Sequence, residues 1–308
     1  MGRSHSHNHN HSHSHNHDLK GRNLLISIVL NIIITLAQAI GGFISGSLSL
    51  LSDALHNLSD VISLIISYIA AILSKKSASL HKTFGYKRAE ILAAFINAAT
   101  LVVIAIFLII EAIERFQNPQ EIESNLVIWL SLLGIAANGF SVLLIKRDAK
   151  RNMNMKSAYL HLFTDMLASV AVLIGGLLMK FYELYWVDSV LTIVIGIYLI
   201  YISYDLLKRS FKVLMLFTPE GIQVESIVDE LQQLSSVKNV HHIHLWQLNE
   251  KEIHLEAHID FNKDINLSEF DAILITIEEI LETKFQINHV NIQPEYGKCD
   301  AKEVIVQD

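Results

Sequence analysis

Two histidine and aspartate pairs lie inside long apolar stretches of the sequence. His56 and Asp60 are four residues apart in one stretch, and His161 and Asp165 are four residues apart in another. On an α-helix, residues at this spacing lie on one face, one turn apart. Two such faces opposed would offer two imidazole nitrogens and two carboxylates, a donor set that suits tetrahedral zinc. Magnesium and calcium prefer all-oxygen sites and copper(I) prefers sulfur, so zinc is the favoured metal.

The alternative interpretation is that these four side chains only hydrogen-bond helices together. Ionisable residues at bilayer depth cost roughly 2.5 to 3.5 kcal/mol each on insertion scales. The same pattern in two separate stretches therefore calls for a compensating ligand, and we interpret it as a metal site. Three interpretations stay open for Asp53, three residues before His56. It is a hydrogen-bond acceptor that supports the metal site, a residue at the entrance of that site, or simply an acid near the start of a helix. The amide of Gln38 is interpreted as an interhelical hydrogen-bonding group.

The composition indicates that the two pairs lie in a membrane. Of the 308 residues, 51% are hydrophobic and only 18% are charged, which is too apolar for an ordinary soluble domain. Six stretches are long enough to cross a hydrocarbon core of about 30 Å as helices. They lie near residues 23–46, 48–74, 89–112, 125–145, 155–179 and 187–208.

Basic residues indicate the orientation of these spans. Lys and Arg are frequent before the first stretch, after the second, fourth and sixth, and scarce elsewhere between them. By the positive-inside rule, both termini are cytoplasmic. The first stretch is too long for a signal-peptide core and is read as retained, which makes a bacterial inner membrane the simplest location. Without a basic surplus or a nucleic-acid motif, nucleic-acid binding is not expected.

The C-terminal third has a different character. Residues 211–308 carry 18 acidic and 7 basic side chains, a net charge of −11. Their hydrophobic pattern predicts the order αββαβ, a small α+β domain with a mixed or antiparallel sheet. The predicted fold class is an α-helical membrane protein with six transmembrane helices followed by this domain. The predicted parts are a disordered His-rich tail (1–20), a transmembrane domain (21–212) and a cytoplasmic metal-binding and dimerisation domain (213–308).

Histidines are concentrated at both ends of the chain. They recur at every second residue from His5 to His17, a low-complexity pattern of a cloning tag or, as we interpret it, of a native tail that collects metal weakly. In the C-terminal domain, strand alternation places His242 and His244 on one face and His241 on the other. His254, Glu256 and His258 share a face of the next strand. Because these imidazoles are clustered beside carboxylates, we favour a zinc site over the alternative that they are ordinary surface histidines.

Four motifs in order resemble one known family. They are LSDALHNLSD (51–60), TFGYKRAEILAAFINA (83–98), AYLHLFTDMLASV (158–170) and VHHIHLW (240–246). Together they closely resemble the cation diffusion facilitator family, in its zinc-exporting branch, and the resemblance covers nearly the whole chain from residue 20. It implies a homodimeric, six-span metal/proton antiporter with cytoplasmic tails that acts in heavy-metal efflux.

The resemblance also implies roles for particular residues. His56, Asp60, His161 and Asp165 match the transport-site ligands of that family. His241, His258 and Glu295 match positions that bind regulatory zinc. Cys299, the only cysteine of the chain, lies where some members add a terminal thiolate, although a second terminal cysteine is missing. Zinc is thus both substrate and regulatory ligand, and no prosthetic group is implied.

The expected function is secondary transport. Zinc, with cadmium or cobalt as other substrates, leaves the cytoplasm in exchange for protons that compete for the same imidazole nitrogens. The expected partners are a divalent metal ion, protons, the lipid bilayer and a second copy of the chain. A membrane metalloprotease would need H-E-x-x-H, which does not occur, so no enzyme is expected. A membrane-anchored zinc buffer or sensor is the other alternative, and it leaves the two intramembrane pairs unexplained.

Overall fold

The computed structural model describes residues 16–74, 76, 78–149, 153–249, 251–298 and 302–306. Six long helices come first: α1 (Asn16–Ser45), α2 (Leu48–Ser74), α3 (Ala89–Gln117), α4 (Ser124–Ala149), α5 (Met153–Tyr182) and α6 (Trp186–Leu214). The remaining elements are α7 (Val224–Gln232), β1 (Val237–Asn249), β2 (Glu252–Phe261), α8 (Leu267–Phe285) and β3 (His289–Glu295).

The first helix begins earlier than the sequence pattern indicated. Residues 16–20 belong to α1, so the prediction of disorder was wrong for that part of the tail. A helix needs only its own backbone hydrogen bonds to continue from an apolar stretch into flanking polar residues. The repeated histidines before residue 16 lie outside the described residues.

Within the described residues, four helices are long and apolar enough to cross a membrane. They are Ala89–Gln117, Ser124–Leu144, Tyr159–Tyr182 and Trp186–Leu214, and α1 adds a shorter apolar stretch, Val29–Ser45. The predicted helical membrane protein is therefore confirmed. That α1 and α2 also cross the membrane, giving six spans, stays a prediction.

The described residues divide into two compact units, one within residues 16–61 and 101–201 and the other within 62–100 and 202–306. In the first unit, α4 packs along α1 and α5. A Cβ atom on Gly134 of α4 would lie 2.8 Å from Nε2 of Gln38 on α1 and 3.0 Å from Oγ of Ser169 on α5. A glycine at this position therefore lets the three helices approach closely, as small residues do in membrane bundles.

The start of α2 is held by a carboxylate from α6. Asp188, 1% exposed, accepts hydrogen bonds from the hydroxyl of Ser47 at 2.6 Å and the hydroxyl of Ser49 at 2.5 Å. It also accepts one from the backbone N–H of Leu48 at 2.8 Å. The first N–H groups of a helix have no partner within the helix and carry a partial positive charge, so an anion here is stabilising. This contact fixes the beginning of the helix that carries His56 and Asp60.

The second unit contains a three-stranded sheet in the order β1-β2-β3. β2 pairs antiparallel with β1 and parallel with β3, so the sheet is mixed and the predicted αββαβ order is confirmed. One face of the sheet packs against α7 and α8 through buried apolar residues. They include Ile227, Leu231, Val240, Leu255, Ile259, Ile277 and Leu281. The opposite face carries the histidines.

A β-bulge in β1 changes which histidines share a face. His242 adopts a positive φ of 50°, and the pairing of β1 with β2 shifts between His241 and His244. His241 then pairs with His258, and His244 pairs with Glu256, so both lie on one side of the sheet. The prediction that His241 faces away from His244 was wrong, because the extra residue of a bulge breaks the alternation on which it rested.

Candidate metal centres

The structure brings His56, Asp60, His161 and Asp165 together between α2 and α5. Oδ2 of Asp60 lies 3.2 Å from Nε2 of His161 and 3.7 Å from Nε2 of His56. An oxygen of Asp165 lies 3.8 Å from Nε2 of His56 and another lies 3.5 Å from Nε2 of His161. Each carboxylate therefore contacts the histidine of its own helix and the histidine of the other. We call these four residues the membrane quartet.

Three members of the membrane quartet place one donor atom each close enough together to share an ion. One donor atom each from His56, His161 and Asp165 lies within 4.8 Å of the others, a spacing at which one ion reaches all three. Oδ2 of Asp60 and Oδ2 of Asp165 are buried and have no hydrogen bond to any residue that the structure describes. Buried carboxylate oxygens normally accept hydrogen bonds, so such oxygens facing imidazoles suit a cation. That the quartet binds metal stays a prediction.

The exposure of the membrane quartet differs between its two ends. The side chains of His56 and Asp165 are 10% and 1% exposed, whereas those of Asp60 and His161 are 32% and 44% exposed. Asp60 lies further along α2 than His56, and His161 lies earlier on α5 than Asp165. The exposed pair thus marks the side nearer the end of α2 and the start of α5.

A polar layer lies next to the buried end of the membrane quartet. Oδ2 of Asp53 accepts hydrogen bonds at 3.3 Å from Nε2 of Gln38 and at 3.3 Å from Oγ of Ser169. Asp53 precedes His56 by three residues and Ser169 follows Asp165 by four, so each lies about one turn from a quartet member. Asp53 therefore acts as an acceptor that joins α1, α2 and α5. The interhelical role predicted for Gln38 is confirmed.

Sequence reasoning missed Asp188. It placed this residue inside the sixth apolar stretch without a role, whereas its carboxylate caps α2, 140 residues earlier in the chain. The available signal was an acid, Asp188, at the start of the sixth stretch, together with Ser47 and Ser49 at the start of α2. Neither observation identifies the partner, because the contact depends on how the helices pack.

The second cluster, which we call the C-terminal trio, consists of His241, His258 and Glu295. Nε2 of His241 lies 3.3 Å from Oε2 of Glu295, and Nδ1 of His258 lies 3.1 Å from Oε1 of the same carboxylate. The strands produce this arrangement, since His241 is opposite His258 and Glu295 is beside Asp260 on the neighbouring strand. Donor atoms of the three residues lie within 4.8 Å of one another.

Cationic side chains surround the carboxylate of the C-terminal trio. Lys298 donates to Oε1 of Glu295 at 2.6 Å, Lys302 donates to Oε2 at 2.8 Å, and Gln293 donates to Oε1 at 2.8 Å. Burial opposes ionisation of Glu295, yet these hydrogen bonds prevail and lower its pKa to about 2. Burial also lowers the pKa of His258, which keeps its imidazole neutral and available as a ligand near pH 7.

The donor set of the C-terminal trio fits zinc. Two imidazole nitrogens and one carboxylate are ligands that zinc takes in tetrahedral sites. The ammonium of Lys302 also shows that this pocket stabilises a positive charge, since it lies among Glu295, Asp260 and His241. Cys299, the predicted thiolate, lies outside the described residues.

The other histidines of the C-terminal domain form two groups, one beside the trio and one around His254. His242 stacks on His258, with 4.4 Å between ring centroids, and meets His244 edge-on at 5.0 Å. His254 is buried, stacks on Trp246 at 5.3 Å and lies 4.2 Å from the ring of His289. Burial lowers the pKa of His254, so this imidazole stays neutral near pH 7.

The sequence matches known proteins over most of its length. Residues 24–215 match the cation efflux transmembrane domain, and residues 219–296 match the cytoplasmic domain of cation efflux proteins. The "cadmium, cobalt and zinc/H(+)-K(+) antiporter" of Bacillus subtilis is 39% identical over 274 residues, 88% of each chain. The zinc transporter ZitB of Escherichia coli is 34% identical over 288 residues, 93% of this chain and 91% of ZitB.

A third relative is similar over nearly the same part of the chain. The metal cation efflux system protein CzcD of Cupriavidus metallidurans is 33% identical over 282 residues, 92% of this chain and 89% of CzcD. The two matched domains contain the membrane helices and both histidine clusters. They also contain the four sequence motifs. The chain belongs to the cation efflux family, also called the cation diffusion facilitator family, in the branch that includes the zinc transporter ZitB.

Proposed function

We propose that this chain exports zinc from the cytoplasm in exchange for protons, with cadmium and cobalt as further substrates. The observation that carries the proposal is the meeting of two imidazoles and two carboxylates in the membrane quartet. Oδ2 of Asp60 and Oδ2 of Asp165 are buried and have no hydrogen bond to the described residues. Relatives whose names state zinc, cadmium and cobalt transport, in one case against protons, support these substrates.

Competition for the same lone pairs couples the two ions. Zinc binds a neutral imidazole, and a proton binds the same nitrogen atom, so each ion displaces the other from His56 and His161. A proton gradient directed into the cell therefore drives zinc outward when the site is open to each side in turn. The carboxylates of Asp60 and Asp165 keep the site attractive to either cation. The polar layer of Asp53 positions the helices and takes no part in ligation.

The proposed orientation assigns an entrance to the membrane quartet. With both termini cytoplasmic, α2 runs toward the cytoplasm and α5 runs away from it. The exposed residues Asp60 and His161 then lie on the cytoplasmic side of His56 and Asp165. We assign zinc entry to this pair. Six spans, a bacterial inner membrane and assembly as a homodimer complete the proposal, supported by the basic connections, the bacterial relatives and the match to the cytoplasmic domain.

The C-terminal trio is proposed as a regulatory zinc site. Its residues belong to β1, β2 and β3, whereas the membrane quartet belongs to α2 and α5. The domain carries a net charge of −11 over residues 211–308, so two copies repel each other. Zinc bound among these carboxylates and imidazoles reduces that repulsion and favours association of the two copies.

Flux into sealed vesicles tests the transport proposal. The purified full-length protein is reconstituted into liposomes that contain a zinc-sensitive dye, with zinc added outside and the interior made acidic. We expect zinc uptake that rises with the pH difference and proton release from the vesicles that accompanies it. His161→Ala should remove both signals, whereas the matched control His81→Ala, an exposed histidine of the loop before α3, should remove neither.

The alternatives predict different outcomes in the same vesicles. A zinc buffer or sensor binds zinc without moving it across the membrane, so it gives no dye signal at any pH difference. A uniporter moves zinc at a rate that does not depend on proton movement. Either result would show that the chain is not an antiporter.

A further inference from the structure

A lysine occupies the position where the C-terminal trio would hold a metal ion. Nζ of Lys302 lies 2.8 Å from Oε2 of Glu295, 3.0 Å from Oδ1 of Asp260 and 3.3 Å from Nε2 of His241. Two of these three residues belong to the trio, and the third is beside Glu295 in the sheet. An ammonium group with three polar neighbours at these distances has the surroundings of a bound cation.

The backbone holds this lysine in place. The N–H groups of His242 and Ile243 donate to the carbonyl oxygens of Glu303 and Val304, at 3.1 and 2.8 Å. These N–H groups belong to the β-bulge of β1. Val304 also packs against the hydrophobic core of the domain. The segment 302–306 is therefore attached to β1 directly beside the trio, and the position of Lys302 follows from that attachment.

The lysine and a zinc ion need the same atoms. Nε2 of His241 and Oε2 of Glu295 lie 3.3 Å apart, which makes them the pair of atoms from these two residues that one zinc ion would share. Lys302 contacts both of these atoms. A divalent ion placed among these ligands also lies within a few ångströms of the ammonium, where two positive charges repel strongly. Lys302 and zinc therefore cannot occupy the site together.

We propose that Lys302 is a built-in competitor that sets the zinc affinity of the C-terminal trio. Without zinc, its ammonium neutralises Glu295 and Asp260 and keeps the segment 302–306 on β1. When zinc binds, it displaces the ammonium and weakens the attachment of this segment. This inference rests on the proposed regulatory zinc site and does not depend on whether the membrane quartet transports zinc.

Competition by Lys302 determines the zinc concentration at which the trio fills. A cluster of carboxylates and imidazoles without a neighbouring cation binds zinc more tightly, and its carboxylates repel one another when it is empty. A tethered cation removes the repulsion of the empty site and raises the zinc concentration at which the site fills. The trio then responds to a surplus of zinc and stays metal-free below that threshold.

Zinc binding to the full-length protein tests the proposal. The parent for this experiment carries Asp165→Ala and lacks residues 4–15, so that the trio is the main remaining zinc site. Zinc is titrated against a competing chelating dye. We expect Lys302→Gln to bind zinc about tenfold more tightly than its parent, because one charge-assisted hydrogen-bond network no longer opposes the metal. The matched control Lys263→Gln changes an exposed lysine of the loop after β2 and should leave the affinity unchanged.

Hydrogen exchange provides a second readout that affinity alone does not give. In the parent, zinc should speed exchange of the amides of His242 and Ile243, because their acceptors leave with the segment. In Lys302→Gln, these amides should exchange faster before zinc is added. Slower exchange with zinc in the parent would contradict displacement of the segment.

Three results of the titration overturn the proposal. An unchanged affinity in Lys302→Gln shows that the ammonium does not compete, and a weaker affinity shows that it supports the metal site. If neither protein binds more zinc than a His241→Ala and His258→Ala variant, the trio is not a zinc site. Zinc flux in vesicles, measured with residue 165 intact, shows separately whether the transport proposal survives.

Discussion

The membrane quartet and the C-terminal trio use the same types of ligand but compensate their charges differently. In the quartet, two carboxylates face two imidazoles, and no hydrogen bond from the described residues reaches Oδ2 of either aspartate. In the trio, the single carboxylate of Glu295 accepts hydrogen bonds from Lys298, Lys302 and Gln293. Under the proposed roles, the site that loads and releases zinc on every cycle has no hydrogen bond from the described residues to these two oxygens. The site proposed to respond only above a threshold accepts hydrogen bonds from two lysines, Lys298 and Lys302.

Removing a quartet ligand tests the membrane side of this comparison and should give the largest effect. His56→Ala, Asp60→Ala, His161→Ala and Asp165→Ala should each lower zinc flux by about a hundredfold or more, because an ion that loses one of four ligands at bilayer depth is poorly compensated. Flux into vesicles measures this, with insertion and dimerisation checked by size-exclusion chromatography. Flux at the level of the parent in any two variants would remove the quartet from the transport path.

Removing two ligands of the trio should abolish a different property. In the full chain with Asp165→Ala, zinc at about a hundred times its dissociation constant should stabilise the folded state by about 2.7 kcal/mol. Adding His241→Ala and His258→Ala should remove this stabilisation, which a thermal melt with and without zinc measures. The double variant His241→Ala and His258→Ala, with Asp165 intact, should transport zinc more slowly than the unmodified protein.

The matched control for the trio is His81→Ala, which should retain the full response to zinc. A melting temperature that rises equally with zinc in the double variant and its parent contradicts a regulatory site. It would also remove the contrast between the two clusters, since the trio would then be a structural part of the sheet.

The polar layer beside the quartet should show a smaller effect. Asp53→Ala leaves the side chains of Gln38 and Ser169 without their buried acceptor, at a cost of about 1 to 3 kcal/mol. We expect slower transport with zinc binding retained, because the helices lose a link while the four ligands stay. Ser169→Ala removes one donor only and should slow transport less. If Asp53→Ala abolishes zinc binding, Asp53 belongs to the ligand set.

Shortening the N-terminal tail should give the smallest effect. Deleting residues 4–15 leaves α1 intact and removes most of the repeated histidines. If these residues only concentrate zinc, the maximal flux stays near that of the parent and the zinc concentration for half-maximal flux rises. The dependence of flux on zinc concentration measures both quantities. Complete loss of flux would make the tail a part of the path and extend the comparison to a third cluster.

The two clusters differed in how far the sequence alone could predict them. The spacing of His56 with Asp60 and of His161 with Asp165 follows the helical period, which continues unbroken through α2 and α5, so both pairs were found before the fold was known. That α2 and α5 face each other could only be inferred. In the C-terminal domain, strand periodicity failed at His242, because the bulge at this residue, with its positive φ, shifts the register between His241 and His244.

Contacts from distant parts of the chain were not predictable. Glu295 was identified only by family resemblance, and Lys302 and Asp260 were not identified at all. The three meet because a parallel strand places Asp260 beside Glu295 and a backbone attachment brings Lys302 to both. Gly134 also carries no signal in the sequence, since its importance lies in the absence of a side chain between Gln38 and Ser169.

The cap that Asp188 forms on α2 has a consequence for biosynthesis. Its carboxylate lies 140 residues after the N–H group of Leu48 to which it binds, and chains are synthesised at about 5 to 20 residues per second. The first amides of α2 therefore wait roughly seven to thirty seconds for this acceptor. We expect a nascent chain that ends before residue 186 to hold α2 at the membrane surface, and its full insertion to coincide with the arrival of α6. Membrane insertion is then completed by a late helix that secures an early one.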